Sequence, residues 1–265
     1  MNQNILDEIA DQDYLEITNN MEQLLLDRIQ ESNSKGVVLG LSGGIDSAVL
    51  AYLCGRIIRN NTLAIIMPDT GITPSMETKD ALRVVAETGI NHKVMDINLI
   101  VNQYLKHAEP HQKALGNLRA RIRTNILYYH ANAENLLVLG TSDKSEYLIG
   151  YFTKFGDGAA DLTPIITLYK TQVRRLAAYL GVYGDIISKK SSPHLWKGHA
   201  AEDEIGATYE EIDAILYCLF DKGIPADKTA DMTRIDITLV EKIRQASFKT
   251  AHKRELPYGQ KSAYA

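Results

Sequence analysis

Cysteine is scarce in this chain: Cys54 and Cys218 are the two present, far apart and in no C-x-x-C pair. They define neither a disulfide framework nor a dithiol redox site. Buried, inert thiols in a reducing cytoplasm are expected. Positive charge is not in excess either. The net charge of −4 speaks against bulk binding to nucleic acid. No apolar run approaches the ~20 residues of a membrane span, and Met1–Tyr14 is polar and acidic, unlike a signal peptide. The seven histidines show no metal-ligand spacing, and no Ser/His/Asp or Cys/His set stands out. A zinc site and a side-chain nucleophile are therefore not expected. Internal repeats, low-complexity segments and linkers are also missing, so residues 1–265 are read as one domain.

What is present centres on Val37-Val38-Leu39-Gly40-Leu41-Ser42-Gly43-Gly44-Ile45-Asp46-Ser47. Val37 to Leu41 form a nearly continuous apolar run, as in a strand buried on both faces. Gly43 and Gly44 allow a sharp turn and close approach to a ligand. Apolar residues from Ala48 onward continue as a helix, whose N-terminus attracts an anion. Ser42 and Ser47 add hydroxyls. Asp46 places negative charge where phosphate would sit, which makes sense if a cation bridges the two. No lysine follows these glycines, so this is not a Walker A loop, and the G-x-G-x-x-G spacing is missing too. An empty glycine turn would explain the glycines but not the Ser/Asp/Ser set.

Further strands are expected at Leu63–Met67, His92–Ile97 and Leu136–Gly140. Helices are expected at 4–31, after the glycine turn to about Ile58, at Thr78–Thr88, from an Asn98 cap, at Gln112–Asn132, at Lys170–Leu180, at Tyr209–Phe220 and at Arg234–Thr250. Residues 184–206 read as irregular, and the tail from His252 as basic and mobile at its tip. Strands alternating with helices imply an α/β fold, a doubly wound parallel sheet flanked by helices. Ligands of such sheets sit beyond the carboxyl ends of the strands. That rule places Ser42–Ser47, Pro68–Thr73 and Thr141–Glu146 on one rim.

Glu146 and Asp46 could share a hard cation such as Mg²⁺ there; Glu146 taken alone reads more often as a solvated surface acid, and its place on the rim brings the two readings level. Lys154–Asp161, with two glycines, suits a loop that closes over substrate; an ordinary surface loop has the same composition. Lys170 opens a helix, against the dipole; a phosphate partner or plain exposure would account for it. His252-Lys253-Arg254 could hold an anion or be a solvated tail.

Taken together, Gly40–Ser47, Gly140–Glu146, Gly150–Asp161, Leu195-Trp196, Glu202–Gly206, Tyr209–Asp213 and His252–Arg254 resemble the motifs of the NAD synthetase family, within the Rossmann-like ATP pyrophosphatases. The resemblance implies amidation of deamido-NAD to NAD with ammonia, using ATP and Mg²⁺. The substrate carboxylate would attack the α-phosphate, pyrophosphate would leave, and ammonia would displace AMP from the adenylate. By similarity ATP would lie on Gly40, Leu41, Ser42, Gly43, Gly44, Ile45, Asp46, Ser47, Thr141, Lys170 and Ser192. Mg²⁺ would lie on Asp46 and Glu146. Deamido-NAD would contact Arg121, Lys154, Asp161, His252 and Lys253, and Asp157 would bind or deprotonate ammonia.

Asp143 stands where many relatives carry Asn, and Ser192 where some carry Thr. Glutamine-using relatives carry an added amidohydrolase domain. About 35 residues precede the first strand here, far fewer than the ~100 of a typical domain, so free ammonia is the expected donor. The family's homodimeric state is expected as well. The rivals are another adenylating pyrophosphatase, GMP-synthetase-like or tRNA-modifying, and a nucleotide-binding module without catalysis.

Overall fold

The computed structural model describes residues 2–255. The strands β1 (Gly36–Gly40), β2 (Thr62–Ile66), β3 (Asn91–Val94) and β4 (Leu136–Leu139) form a sheet in the order β3-β2-β1-β4. All three pairings are parallel, with Val38 opposite both Leu63 and Val138. Alternation along β1 feeds two cores. Val37 and Leu39 pack with the helices Tyr14–Glu31, Ile45–Ile57, Ser75–Thr88 and Lys170–Tyr179 on one face. Val38 packs with Ile122, Leu127 and Ala131 of the Gln112–Glu134 helix on the other. Because β1 is covered on both sides, its residues Val37 to Leu39 are fully buried, and the apolar run needs no polar alternation. The expected doubly wound α/β sheet is the fold observed.

The chain steps from β1 outward to β2 and β3, then crosses to the opposite flank to place β4 beside β1. The strand order reverses between β1 and β4, and there a crevice opens beyond the strand ends. A third apolar cluster joins Gln3–Ala10, Tyr209–Leu216 and Ile237–Lys249 beside this crevice. No helix among the described residues is long and apolar enough to cross a membrane.

Several boundaries differ from those expected. Residues 4–31 form two helices, Gln3–Ala10 and Tyr14–Glu31, because the Asp13 carboxylate caps the second by accepting the N–H groups of Leu15 and Glu16. Asn98 is the first helical residue rather than a cap; Asp96 accepts its N–H at 2.9 Å. Residues 184–206 include the short helices Gly184–Ser188 and Ala201–Ile205. Further helices at Lys144–Ile149 and Ala226–Thr233 lack a long amphipathic pattern and were not expected. The helix expected to reach Phe220 ends at Leu216 in a π-turn. The tip of the basic tail lies outside the described residues.

Candidate functional site

After β1 the chain turns through Leu41–Gly44 into the Ile45–Ile57 helix. Gly43 has φ +85°, and a Cβ there would stand 2.2 Å from the Glu77 carbonyl oxygen, so a side chain is excluded twice over. The serines brace this turn from inside. Ser42 Oγ accepts the Gly44 N–H at 3.2 Å; the Ser47 hydroxyl donates to the Gly44 carbonyl at 3.1 Å and accepts the Ser42 N–H at 3.2 Å. Gly44 caps the helix with no side-chain acceptor. The first-turn N–H groups therefore lie open at the positive end of the helix dipole.

Beneath this turn lies a charged knot. Lys170 Nζ is 2.8 Å from Asp46 Oδ1, 2.8 Å from Asp143 Oδ2 and 3.1 Å from Glu146 Oε1, with its side chain 0% exposed. Burial opposes its charge, yet Asp143, Asp46 and Glu146 together hold its ammonium well above the ordinary range. Plain exposure of Lys170, one of the two readings left open, is thus excluded: its immediate partners are carboxylates. Burial pushes Glu146 up to about 8, with Asp143 and Asp46 adding and Lys170 opposing. Three acids share one cation, so the knot has capacity for more positive charge. Asp143 is wholly buried and also caps the Lys144–Ile149 helix at 2.8 Å, whereas Asp46 and Glu146 line the crevice. From below, Asp213 accepts the Ser145 hydroxyl at 2.5 Å and the Thr171 N–H at 2.8 Å. Burial pushes Asp213 up to about 7.

The opposite wall comes from the segment expected to be irregular. Lys189 donates to the Gly43 carbonyl at 3.1 Å, Glu77 at 3.0 Å and Asp80 at 2.6 Å. Ser192 lines the crevice and donates to the His199 carbonyl. Arg119 and Arg123, four residues apart, face the same rim. Arg119 pairs with Asp69 at 2.6 Å and donates to the Leu195 carbonyl at 3.0 Å; Arg123 donates to the Met67 carbonyl at 3.0 Å. Burial pushes the Arg123 guanidinium down to about 10.

The glycine loop after Phe152 is folded on itself. Thr153 accepts the Gly156 N–H at 2.9 Å through its carbonyl, and its own N–H goes to Asp157 Oδ1 at 2.8 Å. A Cβ on Gly158 would meet the Phe152 ring at 2.3 Å, so packing of the loop requires a glycine there. Asp157 faces the crevice, and the surrounding protein pushes its carboxyl upward.

Of the residues singled out from sequence, Gly40, Leu41, Ser42, Gly44, Ile45, Asp46, Thr141, Glu146, Asp157 and Ser192 line one crevice. Ser47 and Lys170 sit beneath it, and Gly43 forms its turn. Arg121, Lys154, His252 and Lys253 gather in a second group. Arg121 donates to the Lys154 carbonyl at 3.2 Å, Lys154 to the His252 carbonyl, and Lys253 to the carbonyls of Gly150 and Phe152 at 2.7 Å. Asp161 stands apart from both, on the outer edge of β4, where it accepts the Val138 N–H at 2.8 Å and the Tyr128 hydroxyl at 3.1 Å. Tyr151, Lys189 and Arg123, to which the sequence assigned no site role, also line the crevice. The i, i+4 spacing of Arg119 and Arg123 was the available signal; Lys189 offered none. Cys54 and Cys218 are buried, and burial raises both thiols, Cys54 to about 12, which fits inert cysteines.

Sheet, glycine turn and acidic rim define the class first: an α/β protein of the ATP pyrophosphatase type, with a crevice at the strand switch point. The profile of the NAD synthase family matches residues 17–257. An NH3-dependent NAD+ synthetase from Hyperthermus butylicus is 47% identical over 255 residues, covering 95% of this chain and 92% of its own. Among solved structures, an NMN synthetase from Francisella tularensis has a TM-score of 0.84 at 34% identity, covering 95% of this chain and 100% of that one. An NH3-dependent NAD synthetase from Campylobacter jejuni has a TM-score of 0.80 at 35% identity, covering 94% and 100%. The chain belongs to the NAD synthase family. It is an enzyme, a ligase of NAD biosynthesis that uses ATP as co-substrate. These matches do not favour the rival adenylating activities.

Proposed function

We propose that the chain amidates deamido-NAD with ammonia, consuming ATP and releasing AMP and pyrophosphate. The observation that carries this reading is the pairing of an open helix N-terminus with two crevice-facing carboxylates, Asp46 and Glu146, around a shared cation. Family membership and the NH3-dependent relatives support the substrate assignment. ATP is assigned to Gly40–Ser47, Thr141, Lys170 and Ser192, and deamido-NAD to Arg121, Lys154, Asp161, His252 and Lys253. In this scheme a carboxylate oxygen of the substrate attacks the α-phosphorus and the bond to pyrophosphate breaks. Backbone N–H groups of the glycine turn hold phosphate oxygens in place. Positioning and charge neutralisation carry such a step, so no side-chain nucleophile is required.

The donor set fits Mg²⁺, which takes one or two carboxylates beside substrate phosphates; the described residues hold no cluster of three or more ligands to cage a metal alone. Bound Mg²⁺ would neutralise phosphate charge as pyrophosphate leaves. Asp157 is assigned to the ammonia end of the crevice. We also infer a single working domain, a cytoplasmic location and a homodimer. The exposed apolar side chains Leu99, Tyr104 and Tyr129, on adjoining helices, support the last of these.

The test is to mix the purified chain with ATP, Mg²⁺, ammonium and deamido-NAD and measure NAD and pyrophosphate together. Equal yields are expected, and glutamine in place of ammonium should give none. A second reading, amidation of nicotinate mononucleotide, is favoured by the match to the NMN synthetase. A kcat/KM for the mononucleotide above that for deamido-NAD would make it the right one.

A further inference from the structure

Beside the crevice, two side chains meet at one oxygen of a third, Glu204. Tyr151 donates its hydroxyl to Glu204 Oε2 at 2.9 Å. His199 Nε2 lies 2.8 Å from the same oxygen and 3.1 Å from the Tyr151 hydroxyl. The acceptor is a carboxylate, so Nε2 carries the imidazole proton. The His199 side chain is 2% exposed, its ring stacked on Trp196 at 3.5 Å between centroids. His199 Nδ1 is buried without a partner among the described residues, so the ring's orientation rests on that stack and on the Nε2 contacts. Tyr151 lines the crevice with Glu146 and Asp157, while Glu204 is 32% exposed on the outer side. The trio therefore connects the crevice to solvent.

Amidation needs such a connection. Ammonium has no lone pair with which to attack, and it is the dominant form at neutral pH. When the nitrogen becomes an amide it forms a bond to the acyl carbon. The bond from that carbon to the AMP oxygen breaks with its electron pair on AMP. Two protons leave the nitrogen, one before attack and one after.

We propose that Tyr151 and Glu204, held by His199, form a proton relay that takes protons from ammonium in the crevice and delivers them to solvent. Each transfer moves a proton from nitrogen to the Tyr151 oxygen as the tyrosine proton passes to Glu204 Oε2, which releases it outside. His199 is a positioning residue: its Nε2–H fixes the carboxylate oxygen in line with the tyrosine. Against the upward push of burial, hydrogen bonds from His199 and Tyr151 keep the Glu204 carboxyl below its ordinary range, so it stands ionised at neutral pH with its oxygen free of a proton. The charged groups facing the trio are Lys113 and Lys253 toward Glu204, His194 toward His199, and Glu146 and Asp157 toward Tyr151. This inference rests on ammonia being the nitrogen donor.

The experiment uses the full chain with ATP, Mg²⁺ and deamido-NAD and follows two reactions. Exchange of labelled pyrophosphate into ATP reports adenylation and needs no ammonia; NAD formation from ammonium chloride reports amidation. In Glu204→Gln, exchange should stay within about twofold of the parent enzyme. NAD formation at about pH 7 should fall about 100-fold, then climb about tenfold per pH unit as free ammonia rises. His199→Gln should show the same split at about tenfold, and serves if the first variant does not fold. Equal losses in both reactions, or a pH profile parallel to the parent's, overturn the relay. Absence of deamido-NAD-dependent exchange in the parent enzyme overturns the functional reading instead.

Discussion

Two lysines flank the glycine turn and are held in opposite ways. Lys170 is sealed beneath the rim among three acids, two of which also face the crevice. Lys189 is 24% exposed on the other wall, where it ties the Gly43 carbonyl to Glu77 and Asp80. The first gathers carboxylates at the crevice floor, and the second ties backbone to acids on the wall. Losing the first leaves carboxylates buried and unpaired, which is costly in a low-dielectric setting. Losing the second frees one carbonyl and two buried acids that keep other partners: Arg83 lies 3.2 Å from Asp80 and His194 lies 3.5 Å from Glu77.

Lys170→Met should have the largest effect. It should abolish pyrophosphate release and lower stability by about 3–5 kcal/mol, read from urea unfolding. A stable variant would show that the acids repartner without it. Next comes Asp46→Asn, which touches the chemistry and spares the fold. Turnover should fall about 100- to 1000-fold with little change in the unfolding midpoint. Activity retained at ordinary Mg²⁺ concentration would remove the metal role.

Lys189→Met should be milder and of another kind. We expect the KM for ATP to rise about tenfold, kcat to change little, and stability to drop by about 1–3 kcal/mol. An effect on kcat as large as that of Lys170→Met would erase the distinction between the two walls.

The smallest effect is a slope. Asp213, under the Lys170 side, has its folded pKa raised to about 7 from an ordinary 3.8. The unfolded chain therefore gives up this proton first, and stability falls as pH rises from about 4 through about 7. Asp213→Asn should flatten that decline, measured as urea midpoints at about pH 5 and about pH 8. An unchanged slope would mean that other groups dominate the linkage.

Much of the rim was legible because local sequence dictates it. An apolar run covered on both faces, a glycine at φ +85° and a helix starting at Ile45 are consequences of neighbouring residues. Periodicity also gave the strand order its parallel sense, since helices between strands force crossovers. The edge strand β3 was harder to bound. It is exposed throughout, so no burial pattern marks where it stops, and it ends at Val94 rather than Ile97. The short helices at 184–188 and 201–205 carry too few turns to show a periodicity.

By itself, then, the sequence determined the α/β class, the glycine turn, and the acids and serines that cluster at the strand ends. Each of these depends on contacts a few residues apart or on the rule that ligands sit at the carboxyl edge. Only the tertiary structure decided what partners they have. Lys170 meets Asp46 across 124 positions of chain, Lys189 meets Gly43 across 146, and Tyr151 meets His199 across 48. Such pairings arise when packing of the layers removes water and leaves each buried charged or polar group to find a partner. Nothing in the local pattern of a lysine says which carboxylate it will meet.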